Sequence, residues 1–309
     1  MALTVTVKPR SSKPSKRFPL TLTLEGAAPT VGDLKKAVAD KVKMNVHRQR
    51  ITTQDKKVLD DEDKKVSEYG VGEGETLEIK DLGPQVGWRT VFFIEYFGPL
   101  FIHPFFYSTS LQKLIYGRTF EHSKMQDVAL LLILGHYAKR ELETLFVHRF
   151  SSATMPVFNI FKNSAHYWGL SGLLLAAPLY GPWNGAERVA GSVLDSDKWI
   201  YGWSALWAYA ELSNLLTHLN LASLRPIGTK TRQIPRGYGF DLVSCANYWF
   251  ETIAWVAFTG LTLNWAAGLF TAVAVGQMYV WAVKKHRRYR KEFGDKYPRG
   301  RKVMFPFIA

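Results

Sequence analysis

The stretch LRPIGTKTRQIPRGYGFDLVSCANYWFETIAW, residues Leu224–Trp255, decides how the rest of the chain is interpreted. It begins as a loop broken by prolines and glycines, and it continues into an apolar segment that carries Asn247, Tyr248 and Glu251 within one helical turn. Placing such polar groups in an apolar segment costs free energy, so they need hydrogen-bond partners or a ligand. We therefore predict that the loop holds a phosphorylated cofactor at a membrane surface. The basic residues of this loop are Arg225, Lys230, Arg232 and Arg236.

The net charge of +14 is concentrated near the end of the 309-residue chain. The segment Lys284–Lys302 contains ten lysines and arginines, and it directly follows an apolar run. A basic segment in that position is typical of the cytosolic flank of a membrane span, so we expect membrane lipid and not nucleic acid as a partner. The single cysteine excludes an intrachain disulfide and a cysteine-based zinc site. The N-terminus lacks the features of a signal peptide and is expected in the cytosol.

Residues 1–82 are predicted to form a separate cytosolic α+β domain. Apolar residues alternate with polar ones near Val5 and again near Leu22, which predicts two half-buried strands. The segment Thr30–Met44 has helical spacing, with Thr30 or Asp33 available as the N-cap. Further short strands are predicted at Gln49–Thr53, Lys57–Leu59 and Thr76–Ile79. This order resembles the ubiquitin-like β-grasp fold and suggests a docking or regulatory module; because the chain continues past residue 82, conjugation through a free tail is excluded.

Residues 83–309 are predicted to form a mainly α-helical membrane domain. Six apolar stretches have roughly the length of a membrane span: Trp88–Tyr107, Val128–Val147, Ser164–Tyr180, Trp199–Leu221, Leu242–Leu263 and Trp265–Val283. Six spans with both termini in the cytosol place the basic loop 222–241 and the basic tail on the cytosolic side. The charges of loop 108–127 count mildly against this topology, and a seventh span stays open if a stretch near the C-terminus is re-entrant.

Several polar residues within these stretches are candidate site residues. Glu95 precedes a Gly98-Pro99 pair that is expected to kink its helix, and it either serves the site or pairs with a basic residue. Tyr137 is either a proton donor or an ordinary packing tyrosine, and Glu141 is an acid that can neutralise Lys139 and Arg140. Asn214 and His218 are four residues apart and share a helix face.

Metal chemistry and a soluble nucleotide-binding fold are not indicated. His136, His148 and His218 lie on separate predicted elements, so we predict no metal site. The chain has neither a glycine-rich dinucleotide motif nor a P-loop. The phosphates of a cofactor would then be bound by Arg225, Lys230 and Arg232. The side chain of Asn247 is able to hydrogen-bond an amide such as nicotinamide.

The opening stretch carries a resemblance to a known family. Together with EYFGPLF, KRELETLFVHRFSSATMP, NIFKN and KHRRYRKEF, it resembles the steroid 5α-reductase-like membrane enzymes, most closely the very-long-chain trans-2-enoyl-CoA reductases of the endoplasmic reticulum. The resemblance implies NADPH-dependent reduction of the trans-2 double bond of a long-chain enoyl-CoA. This is the last step of the fatty-acid elongation cycle, so other enzymes of that cycle are expected partners.

The resemblance also assigns roles to individual residues. It implies that NADPH is contacted by Asn214, His218, Arg225, Arg232, Asn247 and Tyr289. Lys230 and Lys285 are added to this predicted cofactor site, although the steroid enzymes carry His where Lys285 stands, Arg where Trp281 stands and an acid where His218 stands. The resemblance makes Glu95 and Tyr137 a substrate pair and Tyr248 a proton donor, with Glu95 or Glu251 expected to orient the tyrosine.

Three other functions fit parts of the sequence. One is reduction of a steroid or polyprenol enone with the same cofactor chemistry. Another is an isoprenylcysteine-methyltransferase-like reaction, which would use S-adenosylmethionine. The third is a non-catalytic membrane scaffold that acts through residues 1–82.

Overall fold

The computed structural model describes residues 2–11, 16–150, 153–226 and 232–308. The chain forms two compact units, each with its own core. The first consists of Met1–Trp88 with Ser152–Asn159, and the second of Arg89–Ser151 with Ile160–Ala309.

A four-stranded sheet forms the centre of the first unit. Its strands are β1 (Leu3–Pro9), β2 (Leu20–Leu24), β3 (Gln49–Thr52) and β4 (Glu75–Asp81). The order in the sheet is β2-β1-β4-β3, with β1 parallel to β4 and the other neighbours antiparallel. Val5 and Val7 are fully buried because alternate residues of a strand point to the same face. The predicted strand at Lys57–Leu59 is reduced to a single bridge between Val58 and Thr52.

Helix α1 (Val31–Val42) buries Val31, Leu34 and Val38 in the core of this sheet. Thr30 caps the helix by accepting from the backbone N–H of Asp33 at 3.2 Å, and the Asp33 carboxylate accepts from the backbone N–H of Thr30 at 2.9 Å. Both candidate capping residues therefore act together in a capping box. The predicted order of two strands, a helix and further strands is confirmed.

A second, two-stranded sheet enlarges the first unit beyond the predicted 1–82 domain. Strand β5 (Gln85–Gly87) pairs antiparallel with β6 (Thr154–Pro156), so that Val86 lies opposite Met155. The sequence placed the boundary between residues 82 and 83 and gave no sign of this pairing. Two strands this short and this far apart in the chain have no local pattern that joins them.

The second unit is helical. Its helices, beginning at the end of β5, are α2 (Trp88–Tyr107), α3 (Thr109–Tyr116), α4 (Lys124–Leu142), α5 (Phe158–Ser164), α6 (Leu175–Leu179), α7 (Ala186–Val189), α8 (Asp197–Ser223), α9 (Ala246–Thr262) and α10 (Trp265–Phe293). Two π-helical segments follow directly on α4 and α5, at Glu143–Val147 and Ala165–Leu174. The core between the helices includes Ile133 of α4, Trp255 of α9 and Phe270 of α10.

Each of the six predicted spans coincides with helical structure in the second unit. The prediction of a mainly helical domain is thus confirmed, but the number of membrane crossings stays a prediction. In the described part of the chain, one segment, Trp265–Lys296, is long and apolar enough to cross a membrane by its length and composition.

Candidate active site

A buried network of polar side chains lies where α4, α8 and α9 meet. Glu211, Asn214 and His218 occupy one face of α8, because residues three and four apart are neighbours on a helix. The network consists of His136, Lys139, Arg140, Glu143, Glu211, Asn214, His218, Asn247 and Glu251. Ion pairs removed from water need good geometry and further hydrogen bonds, and the network supplies both.

Asn214 is the centre of the network. Its Nδ2 donates to the backbone oxygen of Asn247 at 2.9 Å and to Oε2 of Glu251 at 3.0 Å. Its Oδ1 accepts from Nζ of Lys139 at 2.5 Å. Since a lysine ammonium can only donate, this contact fixes which end of the Asn214 amide faces α9.

Lys139 and Arg140 are held by acids other than the neighbouring Glu141. Lys139 Nζ lies 2.9 Å from Oε2 of Glu211, and Arg140 Nη1 donates to Oε2 of Glu143 at 2.7 Å. Neither carboxyl oxygen of Glu141 has a hydrogen-bond partner in the described structure. The expectation that Glu141 neutralises these two bases is therefore wrong. On a helix, immediate neighbours point in different directions, and the partners come from positions three residues on or from α8.

Asn247 contributes an unsatisfied acceptor. Its side chain is 7% exposed, its Nδ2 lies 3.4 Å from Nε2 of His218, and its Oδ1 has no partner within the described ranges. Buried polar atoms are nearly always hydrogen-bonded, so this oxygen is suited to receive an N–H from a ligand. A nicotinamide carboxamide offers such a donor, which means that the side chain fits the predicted cofactor.

Glu95 and Tyr137 lie in an aromatic region beside the network. Arg140 Nη2 donates to the hydroxyl of Tyr96 at 3.0 Å, and the rings of Tyr96 and Tyr137 are 6.2 Å apart. Glu95 is 1% exposed, interacts with the side chain of Asn163, and has no described partner for Oε2. The described residues thus do not show Glu95 in a salt bridge, which was the alternative to a role in the site.

The hydroxyl of Tyr137 donates to Oγ of Ser171 at 2.6 Å. Glu251 instead lies 3.5 Å from Nε2 of His136 and accepts from Asn214. Among the hydrogen bonds of the described residues, none joins Glu95 or Glu251 to a candidate tyrosine. The orienting role of these two acids stays a prediction.

Tyr248, the second candidate donor, has different surroundings. It is half-buried beside Cys245 and Met278, and Nζ of Lys285 lies 5.0 Å from the centre of its ring. Tyr289, one turn beyond Lys285 on α10, is 8% exposed, and its ring lies 5.7 Å from that of Tyr297 in a tilted arrangement. The sequence thus identified two tyrosines that the structure places in separate environments.

The basic loop is described only in part. Arg225 donates to the backbone oxygen of Arg149 at 3.4 Å, and Arg232 lies 3.0 Å from Oε2 of Glu292. Lys230 falls outside the described residues. Arg225 and Arg232 are both half-buried, so each guanidinium can still donate to a phosphate.

One group of side chains in the described residues has the geometry to hold a metal ion. Glu143, His148 and His218 bring their ligand atoms within 4.8 Å of one another, although the sequence placed the two histidines on separate elements. Glu143, however, already interacts with Arg140 and Lys139. Two cations at the same carboxylate oppose the binding of a third, so the group is better explained as part of the ionic network.

Sequence reasoning missed Glu211, Tyr96 and Ser171. Glu211 had a detectable signal, since it is an acid in an apolar helix three residues before Asn214. Tyr96 and Ser171 had none, because nothing in their spacing shows that they face Arg140 and Tyr137.

The chain is similar in sequence to known proteins along most of its length. The family model described as 3-oxo-5-alpha-steroid 4-dehydrogenase matches residues 153–309. A Schizosaccharomyces pombe protein provisionally named an enoyl reductase is 46% identical over 99% of this chain and 100% of its own length. The very-long-chain enoyl-CoA reductase of Dictyostelium discoideum is 43% identical over 90% of this chain and 92% of its own.

Among solved structures, the UBL domain of Plasmodium falciparum Dsk2 is 33% identical to this chain, covers 26% of it and 96% of its own length, and has a TM-score of 0.21, too low to bear on the fold. The family assignment rests on the sequence matches, which extend over nearly the whole chain. The protein belongs to the 3-oxo-5-alpha-steroid 4-dehydrogenase family, and within it to the group that contains the very-long-chain enoyl-CoA reductases.

Proposed function

We propose that the protein reduces the trans-2 double bond of long-chain and very-long-chain enoyl-CoA with NADPH, as the last step of the fatty-acid elongation cycle. The observation that carries the proposal is the match to a very-long-chain enoyl-CoA reductase along 90% of the chain. The buried and unsatisfied Oδ1 of Asn247 supports a nicotinamide cofactor in particular. Enzymes that act before and after this step are the expected partners.

The residues around Asn247 would hold the cofactor. Asn247 would accept from the nicotinamide amide, with His218 next to its side-chain nitrogen and Asn214 bound to its backbone oxygen. The 2′-phosphate and pyrophosphate would be bound by Arg225, Lys230 and Arg232, and Lys285 and Tyr289 would add to the cofactor site. When bound, the reduced nicotinamide supplies a hydride to the β-carbon of the enoyl thioester.

The residues around Glu95 and Tyr137 would bind the substrate. During reduction, negative charge builds on the thioester carbonyl oxygen, and a hydrogen-bond donor at that oxygen lowers the barrier. The reaction also requires a proton at the α-carbon, and a tyrosine can give it because a phenol remains protonated at neutral pH. Tyr248 and Tyr137 are both candidates: Tyr248 lies near a lysine, and Tyr137 lies beside the aromatic region of Glu95.

Helix α2 supports a location in a membrane, which we propose is that of the endoplasmic reticulum. Its phenylalanines at 93, 97, 101 and 105 are 41%, 39%, 59% and 58% exposed and form one stripe. Exposed apolar stripes of this size are uncommon on soluble proteins and suit contact with lipid. We propose six spans, or seven if a stretch near the C-terminus is re-entrant, with both termini in the cytosol.

The test is to follow NADPH oxidation by the purified full-length protein with a long-chain trans-2-enoyl-CoA, and in parallel with a steroid enone. We expect oxidation with the thioester and little with the enone. The Tyr248→Phe variant should lose turnover by about 100-fold or more and still bind NADPH. If Tyr248→Phe remains active and Tyr137→Phe does not, the proton donor is Tyr137.

Preference for the steroid enone would contradict the proposal. Binding of S-adenosylmethionine without NADPH oxidation would point to methyl transfer instead. A protein that has neither activity, but loses its cellular role when residues 1–82 are deleted, would fit the scaffold.

A further inference from the structure

Glu141 is a buried carboxyl group that the proposed reaction does not yet use. It is 8% exposed, and neither Oε1 nor Oε2 has a hydrogen-bond partner in the described parts of the chain. The bases next to it are bound to Glu143 and Glu211. Such a group destabilises a fold, and its presence points to a donor that arrives with a ligand.

Glu141 lies close to the residues proposed to bind the substrate. It lies one turn after Tyr137 on α4, on the same helix face and about 6 Å further along the axis. It also interacts electrostatically with Glu95, whose Oε2 likewise has no hydrogen-bond partner among the described residues. Glu95 and Tyr137 both interact electrostatically with Tyr167, so the three side chains lie near one another in the helical unit.

The chemistry of a CoA thioester supplies a donor at this place. Three bonds separate the thioester sulfur from the first amide nitrogen of the pantetheine arm, and that nitrogen carries a hydrogen. With the thioester carbonyl at Glu95 and Tyr137, the amide falls about one helical turn away. In the proposed topology α4 runs towards the cytosol, so Glu141 lies on the side from which the CoA head must enter.

We propose that Glu141 accepts the first amide N–H of the pantetheine arm and thereby selects acyl thioesters of CoA. This inference rests on the proposed function. A steroid or polyprenol enone has no N–H to offer, so its binding would leave the carboxyl group of Glu141 buried and unsatisfied. Sites built to hydrogen-bond a substrate group discriminate strongly against analogues that lack it.

The test compares two substrates that differ in this donor alone. One is a long-chain trans-2-enoyl thioester of N-acetylcysteamine, which retains the first pantetheine amide. The other has an ester oxygen in place of the amide N–H. The wild-type protein should prefer the amide by about 10- to 100-fold in kcat/KM, as expected when the loss of one hydrogen bond leaves a buried polar group unsatisfied.

The Glu141→Leu variant should reduce both compounds at about the rate the wild type shows for the ester. Glu187→Leu, at an exposed glutamate of α7, is the matched control and should keep the preference. A second readout needs no turnover: the saturated amide thioester should raise the melting temperature of the wild type more than that of Glu141→Leu, whereas the saturated ester should raise both equally. Without ligand, Glu141→Leu should melt no lower than the wild type, because it removes an unsatisfied group.

Two results would overturn the inference while leaving the proposed function intact. In one, Glu141→Leu keeps the full preference for the amide; in the other, it loses activity equally on both compounds, as a proton-delivery or folding role would predict. Failure of the wild type to reduce any enoyl-CoA would instead remove the proposed function, and this inference with it.

Discussion

The amide of Asn247 shows how a single residue links sequence, burial and function. Its position after the basic loop suggested that its side chain binds an amide. In the described structure, its Oδ1 is a buried acceptor without a hydrogen-bond partner. We expect Asn247→Ala to weaken NADPH binding by about 10-fold, the effect of one buried hydrogen bond. The affinity for 2′,5′-ADP, which lacks the nicotinamide, should not change. Titration calorimetry with both ligands measures the difference.

Asn184→Ala provides the control for this prediction. Asn184 donates to the backbone oxygens of Pro178 and Leu179, away from the polar network, so its loss should leave both affinities unchanged. Equal NADPH affinity in Asn247→Ala and the wild type would show that Oδ1 does not contact the cofactor.

Only some of the residues of the site could be predicted from the sequence. Asn214 and His218 were found because helical spacing puts them on one face, and the structure adds Glu211 to that face. Hydrogen-bond partners on different helices could not be predicted, because the contact of Lys139 with Asn214 depends on how α4 and α8 are rotated about their axes. Glu141 illustrates the same limit, because closeness in sequence suggested an ion pair that helix geometry does not allow.

At the scale of elements, the capping box of α1 gives a prediction for the first unit. Hydrogen bonds from Thr30 to the Asp33 carboxylate hold the pKa of Asp33 below its usual value. A lowered carboxyl pKa stabilises the fold above the unfolded pKa, and this contribution is lost as the pH falls through the folded pKa. Thr30→Ala should destabilise α1 by about 1 kcal/mol.

Hydrogen exchange of the α1 amides in the full-length protein at neutral pH measures this effect, and the variant should exchange about five-fold faster. Thr23→Ala, at an exposed position of β2, is the control and should exchange like the wild type. Unchanged exchange in Thr30→Ala would mean that sheet packing alone holds the helix.

The elements themselves were more predictable than their ends. Strand alternation and helical periodicity arise from local geometry, so β1, β2 and α1 follow from the sequence. The π-helical segment Glu143–Val147 was read as part of a continuous span, because apolar content does not distinguish one helix type from another. Strands β5 and β6 were missed because their pairing is not local.

For the whole molecule, the proposed topology predicts which surfaces are cytosolic. In a Cys245→Ser background, a cysteine at Arg299 should react with a membrane-impermeant maleimide in sealed microsomes. A cysteine at Glu187 should react only after permeabilisation. Both positions are exposed, so access is decided by the membrane and not by burial. Labelling of both cysteines in sealed vesicles would require a different number of spans.

The pairing of β5 with β6 also has a consequence for the order in which the chain is made. The sheet of β1 to β4 is complete once Asp81 has been synthesised. Strand β5 emerges next, yet its partner is encoded only after α2 and α4. During translation the first unit must therefore remain unfinished while residues 89–151 of the helical unit are produced. Its last sheet closes late, as expected for a contact between distant parts of a chain.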